Sequence, residues 1–135
     1  MGSDVKAYLE FFADRPFDWA SNNCMGFVSG WLETVGHHPL PEDWCVGYSD
    51  ARQAVRQYRR CLAEFGHDDI IDAIDARFDR EVTLHPRDGM ICARAENGAM
   101  GYGFGICYMQ QCVFLTDEGA RLFQVEPSDK FWSVE

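Results

Sequence analysis

Cys24 is the residue of this chain best placed to do chemistry. It directly follows Ser21-Asn22-Asn23, three residues suited to capping a helix, and it opens a patterned apolar stripe. Unpaired N–H groups and the helix dipole at such a position favour negative charge, which would lower a thiol's pKa and leave a thiolate nucleophile. The same N–H groups could hold the oxyanion of a tetrahedral intermediate, so the location suits acyl transfer. The ordinary alternative is a packed thiol, because Cys24 is also the first residue of the stripe.

Metal chemistry is weakly signalled. There is no C-x-x-C pair, and His37 and His38 are adjacent rather than at ligand spacing. No metal or cofactor is expected. Cys61, Cys92, Cys107 and Cys112 lie in apolar patterns and read as small buried hydrophobes, and Cys92, Cys107 and Cys112 are expected reduced.

The elements that must position Cys24 follow from the periodicity. A helix over 4–13 turns Val5, Tyr8, Leu9 and Phe12 to one side, with Ser3 as its cap, and Pro16 stops it. The helix from Cys24 to Val35 carries Phe27, Val28, Trp31 and Leu32 at helical spacing, and Gly36 ends it. A loop with two prolines spans 37–48. A helix over 50–65 follows, capped by Ser49, with Ala51, Ala54, Val55, Tyr58, Leu62 and Phe65 inward; another is predicted at about 68–78. After residue 80 short apolar segments alternate with turns, at 82–84, 89–93, 102–108, 112–115 and 121–125, with turns at Asn97-Gly98 and Gly119. Helices first and strands second predict an α+β fold, helices packed on an antiparallel meander.

The 135 residues fit one domain, 1–135. A net charge of −10 argues against a nucleic-acid backbone as partner. Arg52, Arg56, Arg59 and Arg60 form a local basic cluster that reads as a solvated helix face. No apolar run approaches the roughly 20 residues of a membrane span, so no membrane insertion is expected. The first residues, MGSDVKAYLEFFADR, lack the features of a secretory signal peptide.

The residues around Cys24 resemble a known family. Pro16-Phe17-Asp18-Trp19-Ala20-Ser21-Asn22-Asn23-Cys24-Met25-Gly26-Phe27-Val28 is similar to the nucleophile motif of the NlpC-type, papain-like cell-wall cysteine peptidases. There an aromatic residue and a short polar stretch precede a Cys that opens the central helix. Arg87-Asp88-Gly89-Met90-Ile91 looks like that family's Gly-Asp-Val-Val start of a strand, and Gly105-Ile106-Cys107-Tyr108 like its Gly-Ile-Tyr strand. Phe131-Trp132-Ser133-Val134 is similar to the Trp-Arg-Val ending of a branch found in phage tails and gene transfer agents. The resemblance runs from about residue 15 to 134.

The resemblance implies a papain-like fold with Cys24 at the nucleophile position. Active members begin the strand His-Val-Gly-Ile-Tyr, and that His is the general base; the alignment places Gly103 there. The residue that would orient the base falls near Cys112 to Phe114, where no carboxylate, amide or imidazole occurs. His85, just before the Arg87-Asp88 strand start, is the nearest replacement base. Two functions follow. One is a structural tail-tip or baseplate component, degenerate as an enzyme, contacting hub or fibre-base proteins through Phe11, Trp44, Tyr48 and Phe131. It would be made in the host cytoplasm and built into the virion tail. The other is an active endopeptidase that uses Cys24 on peptidoglycan peptides. An intracellular thiol-dependent transferase on the same scaffold is a weaker third.

Overall fold

The computed structural model describes residues 2–96 and 101–134. Among the described residues five helices precede six strands: α1 (Gly2–Phe12), α2 (Cys24–Thr34), α3 (Glu42–Cys45), α4 (Ala51–Phe65), α5 (Ile70–Asp75), β1 (Asp79–Glu81), β2 (Ile91–Ala95), β3 (Tyr102–Tyr108), β4 (Gln111–Thr116), β5 (Gly119–Phe123) and β6 (Lys130–Ser133). The strands form one antiparallel sheet in the order β1-β6-β2-β3-β4-β5. The α+β expectation holds. The expected meander holds for β2 to β5, whereas β6 returns to the far side of β2 and receives β1 on its other edge.

Several local expectations shift. Helix α1 begins at Gly2, so Ser3 lies inside its first turn rather than capping it. Asp50, not Ser49, caps α4 by accepting from the Gln53 N–H at 2.8 Å; Ser49 instead donates to the Gln53 amide oxygen. Phe65 is exposed at the end of α4, whose buried stripe is Ala54, Tyr58 and Cys61. The proline loop contains α3, a single turn that buries Trp44. The expected strand at 82–84 is displaced to 79–81, where the polar Asp-Arg-Glu pairs with β6 as an edge. Val82 and Leu84 are left exposed. The Asn97-Gly98 turn lies outside the described residues.

The sheet has two different faces. One packs on the helices: Met25, Val28, Leu32, Trp44, Tyr58 and Ile74 meet Ile91, Ala93, Phe104 and Trp132. Val5, Leu9, Phe27 and Trp31 join Ile106 and Val113 beside them. The Trp132 indole donates to Asp75 at 2.8 Å, fastening β6 to α5. The other face carries Met90, Cys92, Cys107, Cys112 and Phe131. Period-two alternation accounts for the division: Ile91 stands opposite Ile106, and Cys92 opposite Gly105.

Helix α2 is fixed at both ends. Asn23 accepts from the Gly26 N–H at 2.9 Å while its amide donates to Trp19 O and Cys45 O, so its capping role also ties the preceding loop to the end of α3. Farther along, the Trp31 indole donates to Gly89 O at 2.8 Å. Gly89 has φ 87°, and a Cβ there would stand 3.0 Å from the Trp31 ring, so only glycine fits this crossing.

Candidate functional site

The β3–β4 ladder stops at Ile106 and Val113. Beyond that fork, residues 102–104 of β3 and 114–116 of β4 bound a cleft of about 400 Å³ instead of pairing with each other. Its walls include Phe17, Trp19, Cys24, Arg94, Glu96, Tyr102, Gly103, Phe104, Phe114, Asp117 and Phe123. The segment before α2 is drawn into the fork because the Phe17 N–H donates to Thr116 O at 2.9 Å. Asp18 accepts from the Ala20 and Ser21 N–H groups and so turns the chain toward Asn23 and the helix start. These contacts set Cys24 in the cleft, at the first residue of α2.

Burial pushes Cys24 up to about 11, and the nearby Glu96 charge raises it further. The N–H groups of Phe104, Cys24 and Met25 favour the thiolate but do not overcome desolvation. This corrects the expectation of a lowered pKa: the helix N-terminus acts as foreseen, and loss of water outweighs it. Asn23 takes the Gly26 N–H, which leaves the Cys24 and Met25 N–H groups as donors to an oxyanion.

His85, expected as the nearest replacement base, does not line the Cys24 cleft. It is exposed, its Nδ1 lies 3.2 Å from the Gln110 side-chain oxygen, and it flanks the turn after Tyr108. Gly103 is five residues back along β3, about 17 Å at strand rise. His37 sits against Phe78, and His67 lies 3.4 Å from Asp72. No imidazole lines the Cys24 cleft among the described residues.

Gly103 itself lies in the cleft, opposite Arg94 on β2. Beside the place its side chain would take stands a residue not expected from the sequence, Glu96. Glu96 Oε2 stands 3.1 Å from the position of a Gly103 Cβ. Only the β2–β3 register brings the two together, although a Glu just past an apolar strand was visible. Arg94 is fully engaged: it pairs with Asp129 at 2.8 Å and Glu126 at 2.9 Å, and donates to Gln124 O. Its guanidinium also stacks on Phe114 and Phe123, at 5.3 and 5.9 Å. Although burial raises the Asp129 carboxyl, the Arg94 bonds hold it below its ordinary value.

The remaining expectations divide. Cys61, Cys92, Cys107 and Cys112 are buried, and none of the six cysteines is in a disulfide among the described residues. The four basic residues of α4 are exposed, as a solvated face should be. Of the proposed contact residues, Trp44, Tyr48 and Phe131 are buried in the core, and only Phe11 is exposed. Their aromatic character reflects packing: the Tyr48 hydroxyl, for instance, donates to Trp44 O at 2.6 Å. Among the described residues no cluster of three metal-ligating side chains occurs, and no helix is long and apolar enough to cross a membrane.

Comparison with known proteins gives a family and no function. The family described as Domain of unknown function (DUF6950) matches residues 2–134, and the chain belongs to it. No curated protein and no solved structure matches the chain.

Proposed function

We propose that this DUF6950 member is a papain-like, NlpC-type domain that keeps a thiol-peptidase scaffold without its hydrolytic base. It serves as a structural component of a phage or gene-transfer-agent tail tip. The observation that carries the reading is Cys24 at the start of α2, in a cleft that no described imidazole lines. A thiol held near 11 is almost wholly protonated at neutral pH, so attack on a carbonyl would need a base. The placement in a tail rests on the similarity of the Phe131–Val134 ending to the phage-tail branch. Hub or fibre-base proteins are then the partners, and the chain reaches the cell exterior as part of the virion.

The test is turnover of purified peptidoglycan by the wild type and Cys24→Ser. Equal, background release from both is expected. Cleavage that disappears in the variant would sink the structural reading. Recovery of the chain in purified particles tests its placement; absence from them overturns it.

One observation favours the endopeptidase instead: a Glu96 carboxylate oxygen lies 3.1 Å from where a Cβ at position 103 would stand, beside the position aligned with the missing base. In that reading Glu96 takes the thiol proton, the Cys24 sulfur attacks the scissile carbonyl, and the Cys24 and Met25 N–H groups hold the oxyanion. A carboxylate is a far weaker base than this thiolate, so the transfer runs uphill. Activity lost in both Cys24→Ser and Glu96→Gln would establish it.

A further inference from the structure

We propose that the Cys24 cleft binds a cationic side chain of a partner peptide, a lysine ammonium, between its aromatic walls and the carboxylates of Glu96 and Asp117. The inference rests on reading the cleft as a binding site that has outlived hydrolysis, and it names the chemistry of the occupant.

Three observations lead to it. First, the cleft already shows how it seats a cation. Arg94 enters it from β2, lies over the Phe114 and Phe123 rings, and is matched by Asp129 and Glu126. Cations are attracted to such ring faces, more strongly when partly shielded from water. Second, that arrangement leaves charge over. Arg94 is committed to Asp129 and Glu126, whereas the Glu96 and Asp117 carboxylates have no hydrogen-bond or ion-pair partner among the described residues. Both line the same cleft. Third, apolar wall remains to cover an aliphatic stem: Phe17, Trp19 and Tyr102 complete the lining, with Phe17 and Trp19 fixed edge to face at 4.9 Å. An anionic occupant would face two uncompensated carboxylates, and a neutral one would leave them unmatched. An ammonium on an apolar stem satisfies both features, its methylenes against the rings and its head toward the acids.

Gly103 contributes by being small. A side chain there would crowd Glu96, which stands 3.1 Å from the Cβ position, and would take up room in the cleft that Gly103 lines.

The test is a titration of the isotope-labelled chain with three blocked tripeptides: acetyl-Gly-Lys-Gly-amide and its norleucine and glutamate counterparts. The reporter is the Trp19 indole N–H signal. The lysine peptide should bind at least about tenfold more tightly than either counterpart. Glu96→Gln and Asp117→Asn should each reduce that preference severalfold, and the double variant should abolish it. Both residues are exposed, so the variants should fold. Equal affinity for the three peptides, shifts away from the cleft, or a preference that survives the double variant would each overturn the proposal. The outcome is separable from the first reading: peptidoglycan turnover decides whether Cys24 works as a nucleophile, and this titration decides what the cleft holds.

Discussion

Gly103 and Gly105 sit two residues apart on β3, on the same face, in opposite surroundings. Beyond Gly105 the strand is paired on both sides and backs onto Cys92, Cys107 and Cys112, all buried. At Gly103 the β4 partner is gone, and the space holds the Glu96 carboxylate and the Cys24 cleft. The comparison teaches where a strand can carry chemistry. A complete ladder encloses its thiols as packing material; the fork in the ladder leaves one thiol within reach of a ligand.

The difference is open to direct attack. Alkylation of the native chain should separate the two regions most widely. Cys24 and Cys45, both half-buried, should react with iodoacetamide, while Cys92, Cys107 and Cys112 should be protected by at least about a thousandfold, since reaching them requires unfolding. Peptide mapping by mass spectrometry reads this out. The Cys24 rate should climb about tenfold per pH unit toward about 11, as the thiolate fraction grows. Cys24 also links pH to stability. Its folded pKa lies above that of an unfolded thiol, so its contribution is intact below about 8.5 and is lost as pH rises toward about 11. Melting curves of Cys24→Ala should show a smaller alkaline loss than the wild type.

The next largest effect falls at the fork itself. In Gly105→Ala the new methyl would meet the backbone oxygen of Val113, which cannot move without parting β3 from β4. A loss of about 3 kcal/mol is expected in denaturant unfolding. Asn23→Ala removes a buried cap with three hydrogen bonds and should cost about 2 kcal/mol. Gly103→Ala is the matching control, since its methyl meets only the end of a flexible Glu96 side chain. It should change stability by no more than about 0.5 kcal/mol. Equal effects at the two glycines would break the comparison.

Much of this was legible in the sequence, where local pattern governed. The helix opening at Cys24, its Asn23 cap, the burial of four cysteines and the α+β division all follow from periodicity and cap chemistry within a few residues of each site. Features that depend on distant pairing were not legible. β1 is a charged tripeptide made a strand only by its ladder with β6, and the apolar Val82 and Leu84 drew attention away from it. α3 is a single turn inside a proline-rich stretch, too short to show a period. The thiol's raised pKa could not be foreseen either, because burial is set by how Phe104 and the fork close around it. Glu96 belongs to the site only through the register that places Arg94 opposite Gly103.

The strand order also governs when this molecule can be finished. β6 lies between β1 and β2, yet 48 residues separate Glu81 from Lys130 in the chain. During synthesis β1 therefore leaves the ribosome with nothing to pair with, and it waits about 2–10 s for β6 at ordinary elongation rates. Over the same interval α5 lacks Trp132, whose indole bonds Asp75 and whose ring seals Phe104. The nascent helical half must hold an open apolar seam until its last clasp is delivered, a task for chaperones or for rapid translation of residues 82–133.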